Sequence, residues 1–222
     1  MSFIFSQKNI EQYKHLRAVD RGLQTKVRDA TQSLDFDILK AAKKLTIPVS
    51  GRTLVFEGEE DSTALMDFFF HEFRKGSRRL LDCCDPDAMG LSPDERDLLE
   101  AHRQGRTSLF DIVGTDGKNA QVHLRDVLAP GERDVMLTDI ALSEMSEIAW
   151  QGVLFVRVLA CQGIEMSSGC FFAFSREHRE RLCDGYSHRM KTVPAGDVSE
   201  RRFIYFFQQH REFGDAQALA EP

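Results

Sequence analysis

Apolar residues recur along this chain in two different periods, and the change of period divides it. From Asn9 to about Lys44 they fall three and four apart: Tyr13, Leu16, Leu23 and Val27 share one helical face, and Leu34, Ile38, Leu39, Ala42 and Leu45 another. Pro48 and Gly51 end the second helix. Around Ser50 and Gly51 a β-prone arm of Ile47, Val49, Leu54, Val55 and Phe56 forms either a hairpin or an extended connection. The next helix is predicted from Asp61 or Ser62, either of which can cap it, with the acids of 57–61 at its positive end. Phe68, Phe69 and Phe70 make this helix apolar nearly all round, which predicts neighbours on several sides and a central place in the amino-terminal core. Ser92 and Pro93 start a further helix that runs to about Gln104.

After Gly105 the pattern turns strand-like. Leu109–Val113, Gln121–Val127, Val135–Leu142, Val153–Cys161 and Gly169–Phe174 are β-prone runs. The links at Thr115–Gly117, at Pro130 and Gly131, and at Gln162 and Gly163 suit tight turns, so consecutive strands are expected to pair and to curl to protect their edges. Beyond Ser175 helix returns, around Arg176–Asp184 and again from Asp197 to about Phe213. There Phe203, Phe206, Phe207 and His210 mark one buried side, and the end from Gly214 is expected to fray. The predicted class is α+β. An amino-terminal helical region (1–105) packs with a small antiparallel five-stranded meander or partly open barrel (106–175) and a helical tail (176–222).

With 222 residues and 42% apolar content the chain can bury one large core or two modest ones. The amino terminus has charges and amides before any secretory apolar stretch forms, and nowhere do the roughly 18 apolar residues of a membrane span occur. A soluble, cytoplasmic protein without membrane contact is therefore expected. The five cysteines, at 83, 84, 161, 170 and 183, match neither a metal knuckle nor a disulfide framework, and are read as reduced and mostly buried. The acids around Cys83 and Cys84 predict raised thiol pKa values. No metal site and no cofactor are predicted.

Two groups of residues carry candidate chemistry. Asp67 and His71 are four apart on the central helix and face together, with Glu60 near the same side and Glu72 pointing elsewhere. A carboxylate can orient an imidazole for acid–base work, although ordinary helices also pair Asp with His. The second group is Arg176, His178, Arg179, His188, Arg189 and Lys191, which would gather round an anion if a loop near Gly185 folded back over the sheet. From 176 to 211 eight basic residues stand against five acidic ones, and the whole chain has a net charge of -6, which disfavours a nucleic-acid polyanion. Arg157, inside the apolar run VLFVRVLAC, points outward or enters a buried ion pair, with Asp126 or Asp139 as its candidate partners.

The runs SLFDIV, VHLRDVL, GVLFVRVL and SSGCFFAF, over Ser108–Phe174, together resemble a β module of uncharacterised bacterial proteins. Some of those proteins carry a cysteine-rich metal motif near one terminus, which this chain lacks. The resemblance implies a module and no catalytic residues. A non-enzymatic regulatory or protein-interaction role, through a protein partner or self-association, is the leading expectation. The alternatives are a pocket for an anionic small molecule or substrate at the junction of helices and sheet, and nucleic-acid binding.

Overall fold

The computed structural model describes residues 2–144 and 152–214, so the fraying expected beyond Gly214 lies outside the described residues. Helix α1 (Ser2–Leu34) is 33 residues long, about 50 Å at the usual rise, and buries Tyr13, Leu16, Leu23 and Val27 as the spacing predicts. In α2 (Ile38–Lys44) the Asp37 carboxylate accepts the Leu39 N–H at 2.9 Å. The β-prone arm is a hairpin, β1 (Val49–Ser50) with β2 (Thr53–Leu54). Helix α3 (Glu59–His71) starts two residues before the predicted cap, because Asp61 turns back to accept the Glu57 N–H at 3.0 Å. It buries Ala64, Leu65, Phe68, Phe69 and Phe70, the central position expected. A second small hairpin, β3 (Arg74–Lys75) with β4 (Arg78–Arg79), leads into α4 (Leu80–Cys83). Helix α5 (Pro93–Gln104) opens with a reciprocal cap: Ser92 Oγ accepts the Glu95 N–H, and the Glu95 carboxylate accepts the Ser92 N–H at 2.8 Å.

Five strands close a barrel in the order β5-β6-β7-β9-β8, where β5 is Arg106–Asp116, β6 Gln121–Asp126, β7 Val135–Thr138, β8 Gly152–Cys161 and β9 Ile164–Ser175. The barrel reading holds, but the meander fails at one link: β7 pairs with β9, in parallel through Leu137 and Glu165, and β8 closes the ring on β5. The third strand ends early. Asp139 accepts the Leu142 N–H at 3.1 Å and caps a short helix, α6 (Ile140–Glu144), which puts Leu142 into the barrel interior.

Alternation along the strands separates two apolar cores. Phe110, Val122, Leu124, Leu137, Leu154 and Val156 fill the barrel, whereas Val153, Phe155, Leu159, Phe172 and Phe174 face outward onto the helices. The tail continues as α7 (Arg179–Met190) and α8 (Val198–Phe213). Gly185 lies inside α7 and not in a loop; a Cβ there would stand 2.4 Å from the Tyr205 hydroxyl, so the glycine permits α7 to press on α8. Phe206 stacks on Phe155 with centroids 4.5 Å apart, and Phe203 packs edge-on against Phe172 at 5.5 Å. Phe155→Ala should therefore cost about 3–5 kcal/mol, while Met136→Ala, on the solvent face of β7, should change stability by less than about 0.5 kcal/mol. Urea denaturation of the two variants checks both values.

Candidate functional site: a sealed ionic network and a basic cleft

Asp67 and His71 do meet, but deep inside the protein. Strand β8 carries Arg157 outward between Phe155 and Leu159, into the layer between barrel and helices. Its Nη2 donates to Asp67 at 3.0 Å and to Glu72 at 2.7 Å, so its partners come from the end of α3 and are neither Asp126 nor Asp139. Those two carboxylates bind Arg106 and Arg17. Glu72, expected to point away, shares the guanidinium because the chain after His71 leaves the helix toward the barrel; it also accepts the Ser199 hydroxyl of α8 at 2.5 Å. Opposite Arg157 strand β9 bulges: Val156 pairs with Phe171 and Val158 with Ser167, which leaves Ser168, Gly169 and Cys170 facing one residue. Gly169 takes the left-handed φ of 97° that this detour needs, and the Ser168 hydroxyl reaches Asp67.

The network extends through a pair of histidines. His71 Nδ1 lies 2.8 Å from the Asp67 carbonyl oxygen, His71 Nε2 lies 2.9 Å from His102 Nδ1, and His102 Nε2 lies 2.7 Å from Asp20 Oδ1. A carbonyl only accepts, so His71 Nδ1 carries the hydrogen of its contact with Asp67. Burial and the Arg157 charge push His71 well below the usual histidine range. Burial raises Asp67, but the Arg157 charge and the hydrogen bonds from Arg157 and Ser168 overcome it and bring the carboxyl down to about 2. Exposure is 2% for Asp20, 7% for Asp67, 3% for His71, 2% for Glu72, 4% for His102 and 2% for Arg157, so the whole network is buried. Asp20 and His102 were legible only as polar residues on the apolar stripes of α1 and α5. Glu60 lies elsewhere, 3.8 Å from His210.

The basic residues of the tail do not converge. Arg179 forms a two-pronged pair with Asp111 of β5 at 2.7 and 3.0 Å, whereas Arg189, about 15 Å further along α7, lies over the Tyr205 ring and bonds Gln208. His178 packs on Phe213, Arg176 shares its 3-10 turn, and His188 and Lys191 face solvent. A loop at Gly185 would be needed to gather them, and that residue is helical. The expected junction pocket is likewise filled, by Phe68, Phe155, Phe172, Phe203 and Phe206.

An open site lies elsewhere, where α1 passes the bulge of β9 and the start of α6. It is a cleft of about 520 Å³. Lys14, Arg17 and Arg21 line it from one face of α1, at spacings of three and four. Arg17 is fixed: Nε donates to the Tyr13 hydroxyl at 3.1 Å, and Nη2 to Ser167 at 2.7 Å and to Asp139 at 3.2 Å. Burial opposes its charge, but Tyr13 and Asp139 raise its pKa on balance. The side chains of Lys14 and Arg21 are exposed and make no hydrogen bond or ion pair among the described residues. Three cations thus face one carboxylate, Asp139, and no histidine or cysteine lines the cleft.

Residues 7–219 match the family described as "Family of unknown function (DUF7986)". The chain belongs to that family. No curated protein and no solved structure matches it. Among the described residues no group of three or more His, Cys, Asp and Glu side chains could hold a metal ion, and no helix is long and apolar enough to cross a membrane. All five cysteines are free thiols; burial pushes Cys84 up to about 11, the direction expected, and Cys170 well above the usual thiol range.

Arg157→Met should cost about 3–5 kcal/mol, because it leaves Asp67 and Glu72 buried without their cation; converting those two to apolar residues in the same chain should recover most of the loss. Urea midpoints of the single and triple variants test this. Acid should destabilise the fold in two stages. His71 stays neutral in the folded protein, so protons bind the unfolded chain preferentially as pH falls below about 6.5, and stability drops. Asp67 contributes fully above its unfolded value of about 3.9 and loses that contribution as pH falls toward about 2. In His71→Gln the first stage should shrink in urea melts taken from about pH 7.5 to 4.5.

Proposed function

We propose that this protein acts by binding and not by turnover, as a non-enzymatic regulatory or interaction protein, and that the cleft between α1 and the barrel is where it meets its partner. One observation carries the reading: the candidate pair Asp67 and His71 is closed off from solvent and satisfied within its own network, while the cleft beside α1 offers one carboxylate, Asp139, that Arg17 and Ser167 already engage, and no histidine or cysteine. A histidine that serves catalysis has to come within hydrogen-bond reach of a substrate proton. Both nitrogens of His71 and of His102 are engaged inside the protein. In the cleft the Ser167 hydroxyl donates to Asp139 at 2.7 Å and accepts from Arg17, so it serves to hold the arginine.

The cleft favours an acidic partner of limited extent. Its cations span two turns of one helix, about 10 Å, whereas a nucleic-acid backbone needs a longer basic face than a chain of net charge -6 offers here. Histidine-directed acylation, read by peptide mass spectrometry, tests the reading. His15 and His188 are exposed and should react in the native protein, while His71 and His102 should stay unmodified until the chain is denatured. Native labelling of His71 or His102 at the rate of the exposed histidines would return the network to the list of reachable catalytic groups and overturn the proposal.

A further inference from the structure

Resting on the binding reading, we propose that the cleft takes a small phosphate monoester: a dianionic head on the α1 cations and an apolar or aromatic body against the barrel. The charge balance sets the head group. Among the residues that line the cleft, Lys14, Arg17 and Arg21 against Asp139 leave a surplus of two positive charges (three minus one) in a molecule whose net charge is -6. A monoanionic carboxylate would neutralise half of that surplus, and a phosphate monoester, near two negative charges at neutral pH, neutralises all of it.

Geometry assigns the roles. Arg17 is the prepositioned cation. Its Nε and Nη2 are held by Tyr13, Ser167 and Asp139, which leaves the Nη1 edge toward the bulge of β9. A Cβ added at Gly169 would lie 3.8 Å from that Nη1, an ordinary contact distance, so Gly169 borders the uncommitted edge of the guanidinium. Lys14 lies one turn before Arg17 and Arg21 one turn after it, and their uncommitted ends can close on the same oxygens. An arginine already held in place loses less conformational freedom on binding than a free one, which favours a compact ligand over a long flexible one. The body of the ligand follows from the walls. Ala141, exposed at the start of α6, adds apolar surface beside the cations, with the rim of the barrel-core residue Phe171 next to it, and about 520 Å³ is more than a bare phosphate ion fills.

Titration calorimetry of the full chain at low salt, with phenyl phosphate, inorganic phosphate and benzoate as probes, tests the proposal. The expected result is saturable one-site binding of phenyl phosphate, with both other probes at least about tenfold weaker. Lys14→Ala with Arg21→Ala should melt with the native protein and weaken phenyl phosphate by about tenfold or more, as should a rise in salt to about 0.5 M. Benzoate binding equal to phenyl phosphate would overturn the dianion assignment, and inorganic phosphate binding equally well would overturn the apolar body. Unchanged affinity in the double variant, or no heat with any probe, would overturn the site. Protected His71 and His102 alongside such a failure would locate the error in the ligand class and leave the binding reading standing.

Discussion

A guanidinium in the middle of an apolar strand constrains everything packed around it. Removing Arg157 from water is costly unless its donors find carboxylates at hydrogen-bond distance, and Asp67 and Glu72 meet that demand from the end of α3. The helix can therefore dock on the barrel in one register only. The same requirement shapes β9, whose bulge over Ser168, Gly169 and Cys170 opens room for the arginine and turns a hydroxyl toward Asp67. Ser199 ties α8 to Glu72, and the paired histidines carry the connection through α5 to Asp20 on α1. Side chains of α1, α3, α5, α8 and β8 are thus joined by hydrogen bonds in a dry layer, where such bonds polarise one another and where any unpaired member would be expensive.

That closure also keeps Asp67 and His71, the candidate acid–base pair, away from solvent. Their relay has the donors and acceptors to move a proton, but it begins and ends in the interior. Helix α1 faces both ways: Asp20 points in to His102, while Arg17, three residues earlier, turns out to Ser167 and Asp139. Two neighbouring serines of β9 divide in the same manner, Ser168 bonding Asp67 of the network and Ser167 bonding Arg17 and Asp139 at the cleft. Cleft and network thus share a helix and a bulge. Tyr13, Ser167 and Asp139 hold Arg17 where the two meet.

Local signals account for much of the architecture. Stripes at spacings of three and four placed the helices, Ser92 with Pro93 placed the start of α5, and β-prone runs between turn signals placed the strands and the barrel. Where those readings failed, a side chain or a distant pairing intervened. Asp61 folds back onto Glu57 instead of capping α3, Asp139 caps α6 and cuts β7 short, and Gly185 serves a close contact with Tyr205 where a loop is the local expectation.

By itself the sequence determined which faces of the helices and strands are apolar, that Arg157 would need a special environment, and that Asp67 and His71 would share a side, because each follows from periodicity over a few residues. Only the tertiary structure decided that β7 pairs with β9, that Arg157 finds Asp67 and Glu72 across 90 and 85 residues, that Asp20 and His102 complete the histidine pair, and that Lys14, Arg17 and Arg21 gather beside Ser167. Those contacts join residues far apart in the chain. Which distant carboxylate reaches a given cation depends on how the barrel closes and where the helices dock, and no local pattern encodes that choice.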